Sequence, residues 1–466
     1  MLIARQKLNK LQNKKICMLG FGIENQALIR FLLDKKINCE ITICDAQKNK
    51  NFAGTRHGAF PQNKNINWQL GKNYDANLDK FDIIFRVAGY PLFSSKIKKA
   101  KMVGVEISSP TKLFFELCPT KNIIGVTGAK GKGTTASLIY HILKKAGKRI
   151  WIGGNIGIAP FEFINKIKKN DWVVLELSSF QLEDMAVSPH IAVITNFYKE
   201  HLAPADPNNP NYHRSLADYW NAKMNIVKWQ KKGDEAVVNK NLELRIKNLE
   251  LRTKKYFFSN ANKDADCYFI DNNVIKIQNS KFKIQNFLIG EHNKENVAAA
   301  VEAAKLIGVT NKIIKKAIAE FKGLEHRIEH VKNVNGVKYY NDSFATTPES
   351  AITALESFNG PIILLAGGAD KGSSFKQFAK EIKKRVKFVI LLNGKATPRI
   401  KEELLKIKYP KNNIKLVNSI KSAVKTAREN ADKGYVVLLS PACASFGMFK
   451  NYKERGIMFK QEVKEH

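Results

Sequence analysis

Residues 122–135 read NIIGVTGAKGKGTT. An apolar run feeds a glycine-rich turn, and ASLIYHILKKAG follows with a helical pattern. Glycines let a backbone wrap tightly, so that successive N–H groups can converge on phosphate oxygens. The start of the next helix adds partial positive charge at the same place. The turn runs through Thr127, Gly128, Ala129, Lys130, Gly131, Lys132, Gly133 and Thr134. Lys132 can balance charge on the β- and γ-phosphates, and a threonine hydroxyl can hold Mg²⁺. Val126 occupies the place of the usual first glycine, and Gly133 follows the lysine. The metal-binding hydroxyl is therefore expected from Thr134. A glycine turn without a nucleotide is the bland reading. The coincidence of strand, lysine, threonines and helix weighs against it.

Short aliphatic runs of the same kind recur on both sides. They are ICMLG (16–20), EITICD (40–45), WVVLELS (172–178), IAVITN (191–196), PIILLAGG (361–368), FVILLNG (388–394) and YVVLLSPACAS (435–445). Such runs alternating with amphipathic helices predict parallel sheets buried on both faces, an α/β class. Most of them end in small or polar residues, where open α/β sheets bind ligands. Three blocks follow: 1–110, 111–322 and 323–466. The first carries Gly20-Phe-Gly22 with Asn25 in place of a third glycine, and Asp45 ends the next strand. That is a weak form of the dinucleotide signature. The expected architecture is a Rossmann-like N-terminal domain, a central P-loop ATPase-like parallel sheet and a C-terminal Rossmann-like α/β domain.

The bulk numbers set limits. A chain of 466 residues with 44% hydrophobic content has material for several cores. No apolar run approaches the roughly 18–20 residues needed to span a bilayer, so a cytoplasmic protein is expected. Six cysteines, at 17, 39, 44, 118, 267 and 443, form no C-x-x-C pair and read as small core residues. The net charge of +36 admits a nucleic-acid binder with an ATP site. Its lysines are spread over many helix-like segments, which favours a solvated basic surface and no nucleic-acid partner.

Further motifs follow in order: GGNIG (153–157), ELSSFQLE (176–183), TNFYKEHL (195–202), YWNAKMNI (219–226), GEHNKENVAAA (290–300), GLEHRIE (323–329), YNDSFATTPES (340–350), LLAGGADKG (364–372) and SPACASFGMFKNYKERG (440–456). With the glycine turn they resemble the Mur ligases, and ELSSFQLE with SPACAS resembles the glutamate-adding branch. The turn alone is also similar to that of the folylpolyglutamate synthases.

The resemblance implies roles for particular residues. Glu176, His201 and Thr134 would hold magnesium. Lys223 alone reads as a helix-surface lysine. The resemblance makes it a carbamylated lysine that presents a carboxylate-like group to the metal. Asn293, Asn296 and Asp342 would meet the adenine and ribose end of ATP, and Arg327 its phosphates. Asn155 and Ser178 would touch the sugar-linked substrate. Thr346, Lys371, Ser445 and Tyr452 would form the glutamate pocket. Lys132, His201 and Lys223 would carry catalysis.

The implied reaction is ATP-dependent amide formation through an acyl phosphate in peptidoglycan precursor synthesis. D-glutamate would be added to UDP-N-acetylmuramoyl-L-alanine by a monomer. Phe344 stands where most D-glutamate-adding members have lysine, and Thr-Thr-Pro-Glu-Ser (346–350) resembles an L-glutamate-adding sub-branch. L-glutamate and a folate acceptor therefore stand as alternatives. The 85–91 stretch, FRVAGYP, departs from the family's Ser-Pro-Gly turn, so the uridine contacts carry no residue assignment.

Overall fold

The structure, a computed structural model, describes residues 6, 8–47, 66–204, 210–247, 249–285, 288–370 and 372–465. Three sheets carry the chain. The first contains β1 (Lys15–Leu19), β2 (Glu40–Asp45), β3 (Ile66–Leu70), β4 (Ile83–Arg86) and β5 (Glu106–Ser108). Their order is β3-β2-β1-β4-β5, with every pair parallel. The second contains β6 (Ile123–Thr127), β7 (Ile150–Gly154), β8 (Trp172–Glu176), β9 (Ile191–Ile194), β10 (Glu235–Asn239), β11 (Lys254–Ser259), β12 (Cys267–Phe269), β13 (Val274–Ile277) and β14 (Ser280–Lys283). Their order is β14-β13-β12-β11-β10-β9-β6-β8-β7, parallel from β7 to β12 and antiparallel beyond.

The third sheet contains β15 (Glu329–Val334), β16 (Val337–Asn341), β17 (Ile362–Ala366), β18 (Val386–Leu392), β19 (Ile414–Val417) and β20 (Val436–Leu439). Its order is β15-β16-β20-β17-β18-β19, and only the edge pair β15–β16 is antiparallel. The α/β class with parallel-rich sheets is as the aliphatic runs predict. The helices among the described residues include α1 (Ile23–Asp34), α2 (Lys132–Lys145), α3 (Ser179–Leu182), α4 (Leu216–Lys228), α5 (Glu291–Leu306) and α6 (Tyr452–Lys464).

Packing divides the chain into two compact units, 1–285 with 294–318 and 286–293 with 319–466. In the first unit one apolar cluster is continuous from Ile16 and Phe31 through Phe161 and Val173 to Ile194 and Val238. The first and second sheets therefore share a core. Polar ties reinforce it. Arg30 pairs with Glu162, Gln181 Nε2 donates to Glu24 at 2.8 Å, and Asn211 Nδ2 donates to Ala88 O at 2.7 Å. In the second unit separate clusters cover the two faces of the third sheet, one on Leu364 and Leu391, the other on Leu365 and Ile390.

Five of the six cysteines are buried and Cys118 is half-buried. No helix among the described residues is long and apolar enough to cross a membrane.

One buried acid on α5 has a thermodynamic consequence. Glu302 is fully buried, and among the described residues neither carboxylate oxygen has a hydrogen-bond partner. Burial, and secondarily Asp266 and Glu235, push its carboxyl up to about 8. The folded state thus holds a proton that the unfolded chain releases near its ordinary value of 4.5. Stability is unaffected below that value, falls as pH rises toward 8, and stays reduced above it. Glu302→Gln removes the ionisation. Its melting temperature is expected to exceed that of the parent by about 3 °C or more at pH 8, with little gap at pH 5. An equal gap at both pH values would contradict the assignment.

Candidate active site

Strand register sets the site. Gly154, Glu176, Val126 and Val193 lie in one row across β7, β8, β6 and β9. The residues that follow them emerge together at the carboxyl edge of the sheet. From β6 the chain enters the glycine turn with Gly128 at φ 146° and Gly131 at φ 81°. A Cβ on Gly128 would lie 1.9 Å from Thr195 Oγ1, and one on Gly131 would lie 2.2 Å from Asn296 Oδ1. Both positions need glycine for its backbone freedom and for close approach. The Thr127 hydroxyl donates to Leu177 O at 2.8 Å, tying the turn to the end of β8. Thr134 is half-buried in the first turn of α2, and Gly133 beside it is buried. Lys132 Nζ curls over the turn, donating to Gly128 O at 3.0 Å and Ala129 O at 2.8 Å.

Lys223 lies against this turn. It is 2% exposed, so the helix-surface reading of the sequence is corrected. Tyr219, Lys223, Ile226 and Val227 share the buried face of α4. The Lys223 ammonium packs over the Tyr219 ring at 4.7 Å and donates to Gly128 O at 2.6 Å. Burial, and secondarily the Lys132 charge, hold its amine well below the ordinary lysine range. Only the uncharged form of an amine reacts with CO₂, and this lowering favours that form.

Glu176 is buried at the end of β8, where its Oε1 accepts from Asn155 Nδ2 at 2.8 Å. The Asn155 N–H also donates to Glu176 O at 2.9 Å. His201 takes a left-handed backbone at φ 59°. Its ring meets Phe180 edge-on at 5.2 Å and Tyr219 at 5.7 Å. The residue keeps an exposed edge, yet these rings desolvate the imidazole. That desolvation, followed by the Lys223 and Lys132 charges, brings it down to about 4. It is neutral at physiological pH and so has a lone pair for a metal. His213, stacked on Phe180 at 4.6 Å, likewise falls to about 4 through burial. Its Nε2 lies 2.9 Å from Ser179 Oγ, and its N–H holds His201 O at 2.8 Å. Ser178 has a structural task. It caps α3 in a reciprocal pair with Gln181.

Asn296 is buried on α5, and its Oδ1 accepts from Thr135 Oγ1 at 3.2 Å. The first unit thus brings together the glycine turn, Lys132, Thr134, Glu176, Asn155, Lys223, His201 and Asn296. Glu176, Thr134 and a carbamate on Lys223 would offer magnesium the oxygen donors it prefers. These residue types fit that ion, with His201 as a nitrogen donor.

The second unit holds the remaining residues. Asn293 Nδ2 donates to Ile289 O at 2.7 Å. Asp342 is buried, with Oδ2 accepting from Ser440 Oγ at 2.8 Å and Oδ1 from Ile328 N at 3.2 Å. Burial raises its carboxyl to about 7 against the lowering effect of those bonds. The Arg327 guanidinium stacks on Phe344 at 4.0 Å, and Phe344 meets Tyr452 edge-on at 5.0 Å. Thr346 is half-buried and Ser445 is buried. Lys371 lies outside the described residues.

Several supporting residues escape a sequence reading. Arg455, fully buried, donates from Nη2 to Ser343 O at 2.8 Å and from Nη1 to Cys443 O at 3.2 Å. It thereby joins the loops after β16 and β20. Arg86, 1% exposed, donates to Tyr90 O at 2.7 Å and Phe180 O at 3.1 Å, so FRVAGYP is anchored to α3. Thr195 and Asn196 brace the glycine turn. TNFYKEH contains them, but no spacing rule marks them out from other strand-end polar residues.

Known proteins resemble this chain along nearly its whole length. Residues 126–304 match the Mur ligase middle domain, and 326–443 match the Mur ligase, glutamate ligase domain. The chain is 39% identical to UDP-N-acetylmuramoylalanine–D-glutamate ligase of Clostridium kluyveri, across 97% of each chain. It is 38% identical to the same-named ligase of Acetivibrio thermocellus, again across 97% of each. Among solved structures, UDP-N-acetylmuramate-alanine ligase MurC from Thermotoga maritima superposes with a TM-score of 0.60 at 18% identity, covering 97% of this chain and 100% of that one. MurF ligase from Thermotoga maritima in complex with ADP gives 0.59 at 18% identity, covering 98% and 97%. These two likenesses speak to the fold. Fold, site and relatives together define an ATP-dependent enzyme that forms carbon–nitrogen bonds in peptidoglycan precursor synthesis. The chain belongs to the Mur ligase family.

Proposed function

We propose that this ligase adds D-glutamate to UDP-N-acetylmuramoyl-L-alanine, as a monomer in the cytoplasm, by way of an acyl phosphate. The observation that carries the chemistry is the buried Lys223 amine, 2.6 Å from Gly128 O of the phosphate-binding turn. Near full-length likeness to D-glutamate ligases supports the choice of acceptor and amino acid. The blocks 1–110, 111–322 and 323–466 are read as carrying the UDP-substrate, ATP, and glutamate with ATP contacts respectively.

The turn from Thr127 to Thr134 and the start of α2 grip the triphosphate, with Asn293, Asn296 and Asp342 on its adenosine end and Arg327 on its phosphates. Lys132 neutralises the γ-phosphate as the alanyl carboxylate oxygen attacks phosphorus and the bond to ADP breaks. The product is a mixed anhydride, which makes the carbonyl an effective acyl donor. The glutamate amine then attacks that carbonyl, loses a proton, and expels phosphate. Glu176, Thr134, His201 and carbamylated Lys223 would hold magnesium, which supplies charge neutralisation at the phosphates. Asn155 and Ser178 orient the sugar-linked acid. Thr346, Lys371, Ser445 and Tyr452 hold the incoming glutamate. Positioning and electrostatics carry the rate.

A second reading, L-glutamate as the added amino acid, is favoured by Phe344 beside Arg327 in place of a lysine. Purified protein given ATP, Mg²⁺ and UDP-N-acetylmuramoyl-L-alanine is expected to release ADP with D-glutamate at least about tenfold faster than with L-glutamate. The reverse preference would replace the D-isomer by the L-isomer. Turnover only with a folate acceptor would remove the substrate assignment.

A further inference from the structure

Two N–H groups in the first half of the glycine turn are already engaged within the protein. The Ala129 and Lys130 N–H groups both donate to Asn196 Oδ1, at 3.1 and 2.7 Å. The Ala129 N–H is shared with Asn196 O, also at 3.1 Å. In return Asn196 Nδ2 donates to Lys130 O at 3.0 Å, and Thr195 Oγ1 lies 2.6 Å from the same oxygen. These contacts fix the orientation of the carboxamide. Its oxygen faces two donors and its nitrogen faces an acceptor, so a flipped amide would oppose like groups at every contact. The oxygen sits in the embrace of consecutive N–H groups that a phosphate oxygen otherwise takes in such turns. The second half of the turn differs. The backbone bond from Thr135 N to Gly131 O, at 2.9 Å, is the first of α2. The N–H groups just before it belong to a helix start, the set that lacks intrahelical acceptors and binds anions.

We infer that Asn196 is a positioning residue that divides the turn into two functional halves. Its carboxamide takes the Ala129 and Lys130 N–H groups and holds the bend in its phosphate-gripping shape. Phosphate binding is left to the N–H groups from Gly131 to Thr134 and to Lys132. A brace of this kind lowers the ordering that a nucleotide must impose on the turn when it binds. Thr195 shares the task from the same strand end, and its hydroxyl is the group that excludes any side chain at 128. The inference rests on the reading of this turn as a nucleotide site.

The test uses the full chain and a fluorescent ADP analogue with Mg²⁺. Asn196→Ala is expected to bind the analogue about tenfold more weakly and to raise the KM for ATP by a similar factor, with a smaller change in kcat. Asn196→Asp keeps the acceptor but loses the donor to Lys130 O, and should fall between the variant and the parent. Amide hydrogen exchange on the parent gives a readout that needs no variant. Ala129 and Lys130 should already be protected without nucleotide, and ADP should add protection only from Gly131 to Thr134. Affinity in Asn196→Ala equal to or above that of the parent would overturn the brace. Fast exchange at Ala129 and Lys130 that slows only with ADP would do the same. Failure of the parent to bind the analogue at all would instead overturn the nucleotide reading beneath it.

Discussion

Lys132→Ala is expected to lose turnover by about 10³-fold or more, measured as ADP release with all substrates saturating. The side chain rises from the first residue of α2, and its Nζ already sits over the turn, donating to two of its carbonyl oxygens. A triphosphate brings acceptors of far greater charge than those carbonyls, and the ammonium can shift to them without moving the backbone. In the loose transition state negative charge builds up on the departing ADP oxygens, which the ammonium at the β- and γ-phosphates meets, so the loss falls on kcat as well as on binding. Lys132 is half-buried at the surface end of the turn, so the melting temperature should stay within about 2 °C of the parent. Turnover within tenfold of the parent would mean that the turn grips something other than the transferred phosphoryl group.

Lys223→Ala is expected to be nearly as damaging, with a different signature. The residue is buried against Tyr219 and Gly128, so truncation leaves a cavity and lowers stability by about 1–3 kcal/mol. A loss of that size leaves most molecules folded, whereas turnover should fall by about 10³-fold. The working group is read as a carbamate, formed when the uncharged amine attacks CO₂ and releases a proton. Small carboxylic acids such as formate or acetate can enter the space left by the deleted chain and supply the missing carboxylate. Partial recovery of Lys223→Ala at high formate concentration is therefore expected, with no recovery of Lys132→Ala under the same conditions. If formate restores neither variant, the amine itself would be the active form of Lys223.

Much of the site was legible because parallel strands write their ends into the sequence. An aliphatic run that stops at Thr127, Glu176 or Thr195 stops at the edge where ligands bind, and the sheet register sets those ends side by side. The short alternating strands were less visible. KFK in β14 and CYF in β12 have too few residues to show a period, and they are strands only because each has a neighbour to pair with. Strand β7, ending in Gly-Gly, lacks the β-branched density of a buried strand. Its place is set by pairing with β8.

Lys223 shows a different limit. Tyr219 four residues earlier and Val227 four residues later put it on the buried face of α4, so the helical period did contain its burial. A charged residue is read as solvated by default, and only the low polarity around it reverses that. Arg455 and Arg86 follow the same rule. Arg455 is held by carbonyl oxygens of the loops after β16 and β20, and Arg86 by Phe180 O with the Glu183 and Asp184 carboxylates, contacts from far along the chain that no local pattern encodes. The role of Asn196 was hidden for a related reason. Its partners are backbone groups some 66 positions earlier in the chain, and backbone groups carry no sequence signal.

The central claim is that a substrate carboxylate takes the terminal phosphoryl group of ATP. Substrate labelled with ¹⁸O in the alanyl carboxylate tests it directly, with the released phosphate read by mass spectrometry after complete conversion. The acyl phosphate route predicts one labelled oxygen in each phosphate formed. Phosphate free of label, alongside normal amide product, would contradict it.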